Sequence, residues 1–319
     1  MRVTFWGTRG SIPKPMVTDE FRIKVKRLLM NAQNVNLSDE AAVDNYLDNS
    51  PFPDATTFGG NTPCLEINEG EHQIILDCGS GMRNLGHYMM NSGFTPGGRI
   101  DILQTHTHWD HIIGFPFFVP AYTKNTEIHI HGVHSNLRER FEQQMDLIHF
   151  PITMNEMASQ ITFHQLTEEE EFTLGPFSIK NKGLIHPGGS YAYRIAAEEK
   201  TVILATDGEY KEPSDEIFMP YINFFKDADV LIFDAMYASL MKTIERENFG
   251  HSTAAIGVGI AINAGVKKLV LFHHDPESSD TDIANSFFKA KQYLGSRNLP
   301  PPNNSLEIVT AFDSLEIDV

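Results

Sequence analysis

Positions 105 to 111 read Thr105-His106-Thr107-His108-Trp109-Asp110-His111, which puts three imidazoles and a carboxylate in one short stretch. The run Asp101-Ile102-Leu103-Gln104 just before it predicts a strand. In extended backbone, residues two apart share a face, so His106 and His108 can serve one ion. A turn after them presents Asp110 and His111 to a second ion. Neutral imidazole and carboxylate suit zinc, iron or manganese. A thiolate site is not on offer, because the two cysteines, Cys64 and Cys78, form no CxxC pair. A lone histidine is usually structural; this interleaving with an Asp behind an apolar strand is not a lone histidine.

Four donors do not complete two ion sites, so other strand ends should supply more. His186 follows an apolar run and precedes Pro187-Gly188-Gly189. Asp207 closes Thr201-Val202-Ile203-Leu204-Ala205-Thr206, although an Asp there could equally cap a turn. His273 and His274 both stand at the end of Lys268-Leu269-Val270-Leu271-Phe272.

The elements that must position these groups are short. Runs at 73–77, 100–105, 127–132, 160–166, 177–182, 190–196, 201–207, 230–234, 268–273 and 306–311 have strand length and Val, Ile or Phe content, and Gly, Pro, Asp or Asn bound many of them. Helices are predicted over 20–33, with Phe21, Val25, Leu28 and Leu29 in one stripe, and over 39–47 behind a Ser38 cap. Further helices fall over 253–264, between a Ser252 cap and Gly265, and over 282–294. With no polar linker and no repeat, the pattern predicts one α/β domain over 1–319, with insertions at about 16–55 and 136–157.

The formal net charge is −17, from 42 acidic and 25 basic residues. Binding a long nucleic acid requires several phosphates to be neutralised by Lys and Arg, and this field opposes that. A small phosphorylated substrate suffers less. No run approaches the ~18 apolar residues of a membrane span. The N-terminus lacks the features of a secretory signal, and two cysteines make no disulfide framework, so a cytoplasmic setting without membrane attachment is expected.

Phe5-Trp6-Gly7-Thr8-Arg9-Gly10-Ser11, Phe58-Gly59-Gly60-Asn61-Thr62-Pro63-Cys64, Asp77-Cys78-Gly79-Ser80-Gly81 and the histidine motif together resemble the metallo-β-lactamase superfamily. Ser190-Tyr191-Ala192-Tyr193-Arg194 after His186, Thr206-Asp207-Gly208 and Gly250-His251-Ser252-Thr253 make the likeness closest to its phosphodiesterase branch. That branch includes tRNase Z and enzymes that open cyclic phosphates and cyclic nucleotides. The resemblance implies an αββα sandwich of two mixed sheets flanked by helices. It implies one divalent ion, zinc or manganese, on His106, His108 and His186, a second on Asp110, His111 and His273, and Asp207 bridging both. Asp77 would orient the ligand loop, since ligating imidazoles need a partner for their other nitrogen. His251 would act near the scissile phosphate, and Asp234, at the end of its run, is placed to pair with it and keep it protonated.

The implied chemistry is hydrolysis of a small phosphodiester, with a 3′,5′-cyclic nucleotide as the first expectation. Asp110, Asp207 and His251 would be the catalytic groups. The alternatives are a tRNA 3′-processing or oligonucleotide nuclease, and a metal-containing sensor that no longer turns over. Acyl transfer fits less well, because those members lack the Gly-His-Ser-Thr element. Relatives imply a homodimer, while the 16–55 segment is longer than in relatives. Phe115, Pro116, Phe117 and Phe118 could wall a pocket or pack the core, and Arg9 and Arg83 could approach a phosphate or stay solvated.

Overall fold

The computed structural model describes residues 1–92, 97–210, 215–297 and 306–319. Its strands are β1 (Arg2–Gly7), β2 (Cys64–Glu69), β3 (His72–Leu76), β4 (Arg99–Leu103), β5 (Glu127–Gly132), β6 (Gln160–Gln165), β7 (Glu171–Leu174), β8 (Phe177–Leu184), β9 (Ser190–Ala197), β10 (Lys200–Ala205), β11 (Val230–Asp234), β12 (Lys268–Phe272), β13 (Glu307–Thr310) and β14 (Glu316–Asp318). The helices are α1 (Thr18–Asn31), α2 (Glu40–Asp48), α3 (Phe52–Ala55), α4 (Gly81–Asn91), α5 (Trp109–Ile112), α6 (Leu137–Gln144), α7 (Asp215–Phe225), α8 (Leu240–Glu245), α9 (Ala254–Ala264) and α10 (Asp280–Ser296). Every strand predicted from an apolar run is present within a few residues. The short edge strands β7 and β14, and helices α4 and α7, had no clear pattern to announce them.

Among the described residues these strands form two mixed seven-stranded sheets, in the orders β14-β1-β2-β3-β4-β5-β6 and β13-β12-β11-β10-β9-β8-β7. Strands β3 to β6 run parallel in one sheet and β10 to β13 run parallel in the other. Parallel strands are covered on both faces, which is why β11, Val230 to Asp234, is buried throughout. Val3, Phe5, Leu65, Leu103, Tyr193, Val230 and Phe272 fill the layer between the sheets. Helix α4 and α6 residues, including Met82, Leu85 and Phe141, cover the outer face of the first sheet. Phe225, Val258, Ala261 and Ala290, from α7, α9 and α10, cover the second. This is the αββα sandwich expected. Among the described residues, no helix is long and apolar enough to cross a membrane.

Three local expectations are corrected. Thr253, not Ser252, caps α9: its side chain accepts from the Ile256 amide, while the Ser252 amide donates to Asp234. Asp39, not Ser38, caps α2. The 20–33 helix begins at Thr18, and its apolar stripe packs no core: α1 has no buried residue, and Phe21 and Leu29 are exposed.

Helix α9 carries two glycines in different surroundings. A Cβ on Gly257 would stand 2.7 Å from the Phe233 ring, whereas one on Gly259 would meet nothing within 4 Å. Gly259→Ala is therefore expected to raise stability by about 0.5–1 kcal/mol through helix propensity. Gly257→Ala should lower it, and paired thermal melts check the opposite signs.

Candidate functional site

The C-terminal ends of β3, β4, β8, β10, β11 and β12 all open on one edge of the sandwich. Asp77, His106, His108, His186, Asp207, Asp234 and His273 sit at or just beyond those ends. Asp77, Asp207 and His273 adopt left-handed backbone, with φ of 59°, 56° and 61°. For an L residue this costs on the order of 1 kcal/mol, and Asp and His tolerate it better than most. The abrupt bend marks where each strand stops, and all three side chains are buried beside the cup.

On one side of the cup, donor atoms of His106, His108 and His186 lie within 4.8 Å of one another. His186 Nδ1 donates to the Gly250 carbonyl at 3.0 Å, which leaves the Nε2 lone pair facing His108 Nδ1 at 3.0 Å. Gly250 makes this approach possible: its φ is +83°, and a Cβ there would stand 2.0 Å from His186 Nδ1. Burial, first of all, holds the pKa values of His106, His108 and His186 below the ordinary range, so these rings are neutral.

On the other side, Asp110, His111 and His273 form a second group within the same limit. His273 Nε2 is 3.2 Å from Asp110 Oδ2 and 3.3 Å from Asp207 Oδ2. His111 Nε2 is 3.2 Å from Asp207 Oδ2. Asp207 also reaches toward the first group, 3.8 Å from His106 and 3.9 Å from His186. His274 turns the opposite way and donates to the Ala311 carbonyl, with burial and Arg9 pressing its pKa down to about 3.

The supports of this cup are polar and buried. Asp77 Oδ2 lies 2.8 Å from His111 Nδ1, while the amide and hydroxyl of Thr105 both donate to the same carboxylate. Gln104 ties Asp77 to the backbone carbonyls of His106 and His111. The Ser11 amide donates to Asp110 at 2.6 Å. Asp234 accepts from the amides of Asp207, Met236 and Ser252, and its Oδ2 stands 2.8 Å from His251 Nδ1. Gln104, Ser11 and Glu209, which accepts from the Gly250 amide, were not singled out in the sequence. Gln104 was findable, as a polar residue closing an apolar strand; Ser11 acts through backbone and leaves no signal.

This donor set fits divalent ions. His106 Nε2 is buried without a hydrogen-bond partner although it faces the cup. Burial would lower His111, but Asp110, Asp207 and Asp77 outweigh it and push its pKa well above the ordinary value. The carboxylates thus demand positive charge, which a proton meets in part and a divalent ion would meet fully.

Arg9 is corrected as a phosphate contact. It is 2% exposed, and its donors go to the carbonyls of Gly59, Asp275 and Ser278 and to Asp280. Arg83 is exposed on α4, beside Asn84. Phe115 and Phe118 are core, while Phe117 is 51% exposed.

Residues 72–274 match the beta-lactamase superfamily domain. The chain belongs to the metallo-β-lactamase superfamily. It is a hydrolase of that superfamily, whose members bind divalent metal ions, and it is related to ribonuclease Z and to phosphodiesterases. Ribonuclease Z of Picrophilus torridus is 22% identical, over 88% of each chain. The crystal structure of the metallo-β-lactamase fold protein YhfI from Bacillus subtilis superposes with a TM-score of 0.65, at 19% identity over 99% of this chain and 98% of that one. A diphosphatase from the PhnP family shares the fold at a TM-score of 0.60 and 17% identity, over 100% and 97%.

Burial works against a charge on His251, but Asp234, Asp207 and Asp110 lift its pKa from 6.5 to about 9. A raised value means that this stabilisation is complete below 6.5 and drains as pH climbs through 9. In metal-stripped protein, NMR of the His251 ring should show titration near 9, and Asp234→Asn should bring it back toward 6.5. A wild-type ring titrating below 6.5 would refute the pairing.

Proposed function

We propose that this superfamily member is a phosphodiesterase acting on a small substrate, most simply a 3′,5′-cyclic nucleotide. The observation that carries the proposal is the His251–Asp234 pair, 2.8 Å apart, with the His251 ring 3.8 Å from Asp207. Phosphodiester cleavage builds negative charge on phosphoryl and departing oxygens. A histidine kept protonated beside the donor cup is suited to meet that charge or to deliver a proton to the departing oxygen.

In this proposal His106, His108 and His186 would hold one divalent ion and Asp110, His111 and His273 the other, with Asp207 placed between the two groups. Zinc or manganese bound there would supply Lewis acidity toward phosphoryl oxygens and make a water more acidic. The chain's own part is to orient and to move protons. Asp77 fixes the His111 ring, the Ser11 amide fixes one oxygen of Asp110, and Asp234 fixes the ring and charge of His251. The net charge of −17 favours a substrate with few phosphates.

The similarity to ribonuclease Z favours a second reading, cleavage of an RNA 3′ end by the same groups. Purified protein loaded with zinc or manganese and offered cyclic mononucleotides, bis(p-nitrophenyl) phosphate and a tRNA precursor separates the two. The expected outcome is turnover of the first two. Turnover of the tRNA precursor alone would overturn the small-substrate proposal. A homodimer in a cytoplasmic setting belongs to the same proposal, and sedimentation velocity checks the dimer.

His106→Ala and Asp110→Ala are expected to abolish turnover and metal retention together, checked by elemental analysis beside the assay. His251→Asn should keep its metal and lose about 10²- to 10⁴-fold in kcat. Full activity in that variant would remove His251 from the chemistry.

A further inference from the structure

A cleft of about 750 Å³ opens directly beside the donor cup, with Thr107 and His108 on its inner wall. Its remaining lining combines aromatic faces with groups that can bond the edge of a planar ring. Trp109, next to His108, leaves 81% of its surface in water, and Phe117 leaves 51%. Phe150, from the segment after α6, meets Phe117 edge to face with ring centres 5.5 Å apart. Arg140 reaches across from α6 and donates to Thr107 Oγ1 at 2.8 Å, while Asn136 accepts from its Nε at 2.8 Å. Gln143 and His149 stand at the same cleft, exposed.

An indole this exposed contributes little to the core, and a neighbouring exposed phenyl in the same concavity is unusual in a surface that only faces solvent. The cleft volume falls in the range of sites for small organic ligands. His108 belongs both to the cleft and to the cup, where its Nδ1 is 3.0 Å from His186 Nε2. A ligand suited to both needs an anionic group at one end and, a few bonds away, a flat aromatic body. A nucleotide has that form. Every base offers a π face for stacking, whatever its hydrogen-bonding edge.

We propose that this cleft is the nucleobase subsite of the enzyme, with Trp109 and Phe117 stacking the base and Arg140 meeting the sugar-phosphate side. The proposal rests on the phosphodiesterase reading for the placement of the phosphate. The base itself could come from a free mononucleotide or from the end of an RNA.

Trp109 is one of two tryptophans, so a Trp6→Phe protein carries it as sole fluorophore. Metal-stripped Trp6→Phe protein is titrated with adenosine, AMP, ribose 5-phosphate and inorganic phosphate. Saturable quenching by adenosine and AMP but not by the two base-free probes is expected. Phe117→Ala should weaken the nucleoside response by about tenfold or more, and Arg140→Gln should weaken AMP more than adenosine. Equilibrium dialysis with wild-type and Trp109→Leu protein gives a second measure that needs no fluorescence. Equal retention of adenosine by those two proteins, or no saturable quenching at millimolar concentrations, would overturn the subsite. Affinity that rises from AMP to a short oligoribonucleotide identifies an RNA end as the source of the base; unchanged affinity identifies a mononucleotide. Hydrolysis of bis(p-nitrophenyl) phosphate without any nucleoside response sinks the subsite alone. A nucleoside response without hydrolysis of any phosphodiester sinks the catalytic reading and leaves the subsite standing.

Discussion

Buried negative charge at one edge of a β sandwich is the constraint on which the rest of this structure depends. Asp77, Asp110, Asp207 and Asp234 are all removed from water there, and carboxylates are not left in a low-dielectric interior without compensation. The compensation is arranged in two tiers. Behind the cup, amides of Thr105, Ser11, Asp207, Met236 and Ser252 donate to Asp77, Asp110 and Asp234. Within the cup, imidazole nitrogens face Asp207 from His106, His111, His186 and His273. Lone pairs and carboxylate oxygens thus point at common centres, an arrangement that stacked neutral rings would not reach for packing reasons alone.

The sandwich makes this affordable by bringing strand ends together. Six strands from two sheets stop at the same edge, so donors distant in sequence converge without any long side chain reaching across. Asp110 and His273 are 163 residues apart and 3.2 Å apart in space. Left-handed turns at Asp77, Asp207 and His273 store a little backbone strain at the point of use, as functional sites commonly do. Gly10 adds a close approach of another kind. A Cβ on it would stand 2.4 Å from the His273 ring, so the loop after β1 can lie against the cup only with hydrogen at that position.

Much of this was legible in the residues. Apolar runs bounded by turn formers located ten strands, because buried parallel strands such as β11 and β12 leave continuous Val, Ile and Leu tracts and the antiparallel β8 and β9 alternate buried with partly exposed positions. The histidine motif pointed to the cup where these side chains converge, because its spacing has no ordinary structural use. What remained hidden was hidden for physical reasons. Strands β7 and β14 are short edges with little burial to pattern them. The α9 cap was misplaced by one residue because Ser252 and Thr253 are adjacent hydroxyl residues of like capping chemistry, and only the fold shows that Thr253 takes the Ile256 amide. The stripe on α1 gave no sign of its exposure, yet Phe21 and Leu29 stay in water and no described residue of that helix is fully buried. Arg9 showed a positive charge in a glycine loop; only the fold reveals that Asp280 and three carbonyls already use it.

Anomalous diffraction from crystals of the loaded protein, at the zinc and manganese edges, tests the convergence most directly. Two peaks are expected, about 3.5–4 Å apart. One should touch His106, His108 and His186 and the other Asp110, His111 and His273, with Asp207 between them. A lone ion elsewhere on the molecule, or no anomalous density in this cup after loading with either metal, would contradict the account.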